Sequence, residues 1–171
     1  MNNINLAVKI ERAISELRRG GKIIISDINS GMSVILTAAE MIEIYTVTSL
    51  SQITSSRPNL ILSSNRANTL GLTSNNYPCS ILIEKTWNIN DILSLCMPIH
   101  NHSQPNLNGV VFEKSNNVVS SCLLLLRQAR LLPAGIMSII SNIPIEKVND
   151  WASKNNIIYI DSINVTSFEK N

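Results

Sequence analysis

The stretch GGKIIISDINSGMSVILTAAE, Gly20–Glu40, decides the fold that this sequence predicts. It follows residues 6–19, where apolar side chains recur every three or four positions and predict an amphipathic helix. The paired glycines after this helix can adopt the left-handed backbone that ends it. In RRGGK, residues 18–22, they lie between a helix and a strand, which is the reverse of the order in a phosphate-binding P-loop. A helix stop is therefore the better interpretation.

Inside the stretch, two apolar runs flank a turn. Residues 22–26 predict a buried strand, residues 27–31 a turn and residues 32–37 a returning strand. A short helix is expected near 38–45. This antiparallel hairpin, combined with the alternating elements downstream, predicts one α+β domain over residues 1–171, with a mixed β-sheet layered with helices.

Downstream, predicted strands alternate with predicted helices. The strand patterns cover residues 59–63, 79–84, 109–114, 135–140 and 157–161. The helix patterns cover residues 64–72, with Ser64 as a candidate N-cap, and residues 88–96, 117–130 and 143–156.

Composition excludes several classes of protein. With 44% hydrophobic and 15% charged residues, the chain is not disordered, and its low charge suggests that another subunit or domain covers part of its apolar surface. A net charge of +2 with scattered basic residues gives no reason to expect nucleic acid as a partner. The absence of a signal-peptide pattern and of an 18-residue apolar window predicts a cytoplasmic protein with no membrane segment. Three dispersed cysteines, Cys79, Cys96 and Cys122, fit reduced thiols.

Few residues carry obvious chemistry. His100 and His102 could begin a zinc or nickel site, but no Cys, Asp or Glu lies near them in the sequence to complete it, so polar loop histidines are the better interpretation. Asp27 is expected to bond the backbone of its own turn, and Glu40 and Glu43 to share one solvated helical face. Three basic residues could form an anion patch, although a polar helix stripe is favoured for them: Lys114, Arg127 and Arg130.

Three segments, taken in order along the chain, resemble one enzyme family. Residues 13–42 look like the opening of 3,4-dihydroxy-2-butanone 4-phosphate synthase, a riboflavin-pathway enzyme that begins with a helix, a glycine, an apolar strand, an acidic loop and AAE. RQARLLPAGIMSII, residues 127–140, resembles its later segment containing PAG, and residues 150–163 resemble its closing helix and strand. Three shorter segments, ERAISELRRGGK, SSNRANTLGL and ARLLPAG, resemble the diverged N-terminal domain of some bacterial GTP cyclohydrolase II proteins.

The resemblance implies that the catalytic groups of the family have been replaced. Counted back from AAE without gaps, the metal-binding Glu of the acidic loop falls on Asp27. The other acidic positions fall on Ile25, Ser26, Ile28, Ser30, Met32 and Val34. Counted back from PAG, the metal-ligating His of the second signature falls on Val118, its Thr on Val119 and its Glu on Ser120. Valine has no lone pair for a metal ion, so Asp27 is the one weak candidate ligand that remains.

We therefore expect a diverged, non-catalytic domain of a riboflavin-biosynthesis protein of the GTP cyclohydrolase II type. A structural, dimerisation or regulatory role is expected, with no cofactor, and with Mg²⁺ or Mn²⁺ only if the synthase site survives. The family resembled forms homodimers, and a C-terminal GTP cyclohydrolase II domain is a second expected partner. The alternatives are an active enzyme that converts ribulose 5-phosphate to 3,4-dihydroxy-2-butanone 4-phosphate and formate, and a small-molecule sensor that reuses the old pocket.

Overall fold

The computed structural model describes residues 3–72, 76–99, 101–113 and 116–169. In that part of the chain, seven strands and seven helices follow one another, with one 3-10 turn at Ala39–Met41. The strands are β1 (Ile23–Asp27), β2 (Met32–Ala38), β3 (Asn59–Leu62), β4 (Cys79–Leu82), β5 (Phe112–Glu113), β6 (Ala134–Ile139) and β7 (Ile158–Asp161). The helices are α1 (Asn3–Arg18), α2 (Thr46–Thr54), α3 (Ser64–Thr69), α4 (Ile89–Cys96), α5 (Asn117–Gln128), α6 (Ile145–Lys154) and α7 (Ser162–Glu169).

The strands form one mixed sheet with the order β5-β4-β3-β6-β2-β1-β7. Every neighbouring pair is antiparallel except β1 and β7, which are parallel. Helices α1, α5 and α7 cover one face, and α2, α3, α4 and α6 cover the other, so apolar side chains are buried on both sides of the sheet. This confirms the predicted α+β class and its mixed sheet layered with helices. Within the described ranges, no helix has the length and apolar character needed to cross a membrane.

The β1–β2 hairpin confirms the interpretation of the opening stretch. Its antiparallel ladder ends at the pair Asp27 and Met32, and the turn between them includes Gly31 with a φ of 70°. The backbone N–H of Asn29 donates to the Asp27 carboxylate over 3.1 Å. Asp27 therefore bonds its own turn, as the sequence predicted.

The glycine pair ends helix α1. Gly20 has a φ of 79°, a conformation that costs glycine little, and the N–H of Gly21 donates to the carbonyl of Glu16 over 2.9 Å. This confirms the predicted helix stop. The helix begins earlier than its periodic pattern indicated, at Asn3 instead of residue 6.

The short helix expected near 38–45 is present only as the 3-10 turn Ala39–Met41. Ile42 is extended, residues 44–45 form a turn, and α2 begins at Thr46, whose hydroxyl accepts a hydrogen bond from the N–H of Glu43. Glu40 and Glu43 consequently do not share a helical face. The Glu40 carboxylate instead accepts a hydrogen bond of 2.9 Å from the backbone N–H of Leu132, which ties the turn to the loop before β6.

Other boundaries differ because tertiary contacts set them. The edge strand β5 has two residues where a strand over 109–114 was expected. Ser63, and not Ser64, caps α3, since its hydroxyl accepts the N–H of Arg66 over 3.3 Å. Helix α7, which follows the last strand directly, has no counterpart among the predicted elements; it packs against α5, β1 and β7.

Gly135, the glycine of PAG, is required by close packing in the sheet. An added Cβ atom would lie 2.7 Å from Cδ1 of Leu36 and 3.0 Å from Cδ1 of Leu126 in α5. Both neighbours are fully buried, so neither can move away easily. The PAG segment thus includes a position where the side chains of α5 and of the sheet pack closely against the backbone.

We expect Gly135→Ala to lower the free energy of unfolding by about 1–3 kcal/mol through overpacking, as measured by urea denaturation. Gly21→Ala is the matched control, because a Cβ atom there meets only the flexible side chain of Glu16. An equal loss in the two variants would contradict this account.

Asn88 builds a reciprocal cap at the start of α4. Its side chain accepts the N–H of Asp91 over 3.0 Å, and the Asp91 carboxylate accepts the N–H of Asn88 over 2.8 Å. We expect Asn88→Ala to destabilise the protein by about 0.5–2 kcal/mol in thermal or urea unfolding, since capping groups are lost. Asn90→Ala, at an exposed position in the same first turn between the two capping residues, should be close to neutral. Similar losses for both variants would rule out the cap as the cause.

Candidate functional site

Three of the positions that the resemblance assigns to the family's signatures, Asp27, Ile28 and Ser120, lie together at one end of the sheet. There the strands β1 and β7 end and the helices α5 and α7 begin, enclosing a cleft of about 500 Å³ that we call the α5–α7 cleft. Its lining includes Asp27 from the end of β1, Asp161 from the end of β7, and Asn117 and Ser120 from the first turn of α5. The fold thus brings Asp27 and Ser120 to one cavity although 93 residues separate them in the sequence.

Two carboxylates border this cleft, and each is engaged by its own turn. Asp27 is 5% exposed, and one of its oxygens accepts the N–H of Asn29. Asp161 accepts the N–H of Ile163 over 3.1 Å, at the start of α7. A helix N-terminus stabilises a negative charge, so the Asp161 carboxylate serves local structure as a helix cap.

Two residues of the second family signature lie in the core and one lies at the surface. Val118 is 0% exposed and Val119 is 1% exposed, and both pack in the apolar layer between α5 and the sheet. Ser120 is exposed and lines the α5–α7 cleft. The position assigned to the metal-ligating imidazole is therefore occupied by an aliphatic side chain that contributes to the core.

The positions assigned to the acidic loop have become part of the hairpin. Ile25 and Val34 face each other across β1 and β2 and are fully buried. Ser26 and Ser33 are the next pair, and their hydroxyl oxygens are hydrogen bonded at 2.6 Å in a buried contact. Carboxylates at these positions would be buried without partners, at a cost of several kcal/mol each. Ile25, Ser26 and Val34 thus lie in regular, packed strand, whereas Ile28 and Ser30 lie in the exposed turn between the strands.

The histidine motif is only partly described. His100 lies outside the described residues, whereas His102 Nε2 lies 3.1 Å from the carboxylate of Asp91 in the cap of α4. An acidic partner therefore exists in space although none is close in sequence. Within the described ranges, no group of three Asp, Glu, His or Cys side chains could hold a metal ion.

The other candidate groups lie apart from the cleft. Arg127 and Arg130 are exposed at the C-terminal end of α5, while Lys114 falls outside the described residues. The three cysteines are buried, and burial raises the pKa of Cys79 to about 11 and that of Cys96 to about 12. For Cys122, burial raises the pKa further still. At neutral pH all three remain neutral thiols and are poor nucleophiles.

Asp161 is a cleft residue that the sequence analysis missed. It was placed at the end of the last strand, and no helix was expected after it. An aspartate directly before a polar-apolar segment is a common N-cap signal, so DSINVTSFE could have indicated both helix α7 and the carboxylate at its start.

Comparisons with known proteins agree with this geometry at the level of the fold. No family model matches the sequence, and no curated protein matches it significantly. Among solved structures, 3,4-dihydroxy-2-butanone 4-phosphate synthase of Candida albicans superposes with a TM-score of 0.68 at 17% identity, over 93% of this chain and 96% of that one. A structure of such a synthase with two magnesium ions gives a TM-score of 0.67 at 12% identity, over 95% of this chain and 97% of that one.

A longer protein matches in the same way. RibBX, a two-domain 3,4-dihydroxy-2-butanone 4-phosphate synthase from A. baumannii, superposes with a TM-score of 0.67 at 15% identity. The match covers 91% of this chain and 56% of that protein. The chain therefore has the fold of 3,4-dihydroxy-2-butanone 4-phosphate synthase, as the three resembling segments indicated.

Substitutions that introduce the family residues at positions 118 and 120 should have different effects on the stability of the fold. We expect Val118→His to lower the free energy of unfolding by about 1–3 kcal/mol or more, because an imidazole without a described partner would enter an apolar layer. Ser120→Glu, at an exposed position of the same helix, should change it by less than about 0.5 kcal/mol. Urea unfolding of both variants checks this, and a well-tolerated Val118→His would show that residue 118 can turn towards the cleft.

Proposed function

We propose that this chain is a diverged, non-catalytic domain with the synthase fold, and that it serves riboflavin biosynthesis as a structural, dimerisation or regulatory module. The observation that carries the proposal is the burial of Val118, at the position where the resemblance places a metal-ligating histidine. A side chain that is 0% exposed in an aliphatic layer can neither coordinate a metal ion nor transfer a proton.

The donor set of the α5–α7 cleft does not fit a divalent metal ion of the kind found in the magnesium-bound synthase. Mg²⁺ takes six oxygen ligands in octahedral geometry, and in active sites one or two carboxylates usually anchor it. Of the family positions, only Asp27 retains a carboxylate, and one oxygen of that carboxylate is engaged by the N–H of Asn29. Asp161 has a similar engagement at α7.

An active synthase is the second candidate, and the persistence of the cleft favours it. The α5–α7 cleft still has about 500 Å³ of space, and it is bordered by the carboxylates of Asp27 and Asp161. On this alternative, the chain would convert ribulose 5-phosphate to 3,4-dihydroxy-2-butanone 4-phosphate and formate with Mg²⁺ or Mn²⁺. The absence of the imidazole and the carboxylate that the resemblance places at positions 118 and 120 argues against this alternative.

The two candidates differ in one measurable product. Incubation of the protein with ribulose 5-phosphate and Mg²⁺ or Mn²⁺ is expected to release no formate above a protein-free blank. An active synthase in the same buffer is the positive control. Formate above the blank that disappears in Asp27→Asn would overturn the non-catalytic proposal and assign Asp27 to catalysis.

The proposal also implies a biological context. We expect a GTP cyclohydrolase II domain, either on the same polypeptide or as a separate protein, to be the partner that supplies chemistry. The two-domain architecture of RibBX, of which this chain covers 56%, supports the idea that the fold occurs beside a second domain.

A further inference from the structure

Two buried serines face the α5–α7 cleft with hydroxyl groups that have no partner in the described part of the chain. Ser121 in α5 is 2% exposed and Ser162 at the start of α7 is 7% exposed, and both line the cleft. Neither hydroxyl forms a hydrogen bond with a described residue. Because buried polar groups almost always have a partner, two unpartnered hydroxyls at one cavity are typical of a ligand site.

The carboxylates of the cleft also have unused hydrogen-bonding capacity. Oδ1 of Asp27 accepts the N–H of Asn29, and Oδ1 of Asp161 accepts the N–H of Ile163. Among the described residues, no other side-chain hydrogen bond to either carboxylate is formed. The amide of Asn117 adds a donor to the lining. The cleft therefore presents acceptors and donors side by side.

The same cleft has apolar surface at its rim. Ile28 is 64% exposed and Ile163 is 61% exposed, and both belong to the lining. A ligand that has both hydroxyl groups and C–H faces would contact the two kinds of surface at once. The hydroxyl groups would reach the buried serines, and the C–H faces would cover the two isoleucines.

The charge of the cleft does not favour a phosphate group. None of the described lining residues is Lys, Arg or His, whereas two are aspartates. The N-termini of α5 and α7 each contribute only about half of a positive charge. They are also capped already, by the side chains of Asn116 and Asp161. The two carboxylates therefore outweigh the two helix ends, and an anion would be repelled.

We propose that the α5–α7 cleft binds an uncharged polyhydroxylated molecule, an unphosphorylated sugar or sugar alcohol. Each hydroxyl of such a ligand can donate to a carboxylate of the cleft or accept from a serine. An organic cation would be attracted by the carboxylates, but it offers no acceptor to Ser121 or Ser162. The volume of about 500 Å³ lies within the roughly 300–1,000 Å³ of small-molecule sites.

The inference rests on the non-catalytic function proposed above and deepens it. Of the structural, dimerisation and regulatory roles, a ligand in the cleft favours the regulatory one. The ligand would join β1, α5 and α7, the three elements that carry Asp27, Ser121 and Ser162. A molecule that binds only the folded state stabilises that state, so occupancy of the cleft would be coupled to the stability of the domain.

The test is isothermal titration calorimetry with four probes. Ribitol and D-ribulose are the uncharged polyols, ribulose 5-phosphate is the anion and putrescine is the cation. We expect the two polyols to bind at one site, and the anion and the cation to bind at least roughly 10-fold more weakly. Ser121→Ala should weaken ribitol binding roughly 3- to 10-fold, since one hydrogen bond of a buried group is lost.

Ser94→Ala is the matched control for binding. Ser94 is a buried helical serine, 1% exposed, but it lies in α4 on the other face of the sheet. Its substitution should leave ribitol affinity unchanged. In the ligand-free protein, Ser121→Ala should not lower the urea midpoint, because its hydroxyl has no described partner to lose. Ser26→Ala, which removes the buried contact with Ser33, should lower that midpoint.

Several results would overturn the proposal. If neither ribitol nor D-ribulose binds at millimolar concentrations, water is a sufficient partner for the two serines and the cleft is not a polyol site. Tighter binding of ribulose 5-phosphate or of putrescine than of ribitol would assign the cleft to a charged ligand. Unchanged ribitol affinity in Ser121→Ala would place the polyol elsewhere. Formate release from ribulose 5-phosphate would refute the non-catalytic function whether or not ribitol binds, so the two failures are distinguishable.

Discussion

The antiparallel pairing of β2 with β6 is the contact on which the rest of the structure depends. It joins β1 and β7 on one side to β3, β4 and β5 on the other, so without it the sheet would divide into two small parts. Gly135 at the start of this ladder pairs with Ala38 and lets Leu36 and Leu126 approach closely. Helices cover both faces, and the central strands are therefore mainly apolar.

This two-sided burial explains why the frame of an enzyme carries so little chemistry. A charged side chain in a covered strand needs a partner, and its burial without one costs several kcal/mol. Ile25, Val34 and Val118 instead pack in the apolar core, and the hydroxyl groups of Ser26 and Ser33 are hydrogen bonded to each other. The resemblance places metal ligands of the family at some of these positions. A position that holds a buried apolar side chain cannot also supply a metal ligand. What remains polar lies at the strand ends, in the α5–α7 cleft.

Much of the fold was predictable because its signals are local. The helix stop at Gly20 and the Asp27 turn each depend on neighbours within four residues. The failures have tertiary causes: the 3-10 turn after β2 is held by the contact of Glu40 with Leu132, 92 residues away. Of the candidate site, the mapping to Asp27, Ile28 and Ser120 predicted three cleft residues, but Asp161 was missed with its helix.

The sequence by itself determined the hairpin and the order of the strands and of most helices, since periodicity and residue type are readable without contacts. It also predicted aliphatic residues at positions where the resemblance places metal ligands. Only the tertiary structure decided which faces are covered, and that Val118 points into the core while Ser120 borders a cleft. These properties depend on the direction of each side chain relative to distant segments. That direction follows from how helices and sheet pack together, which no local pattern in the chain specifies.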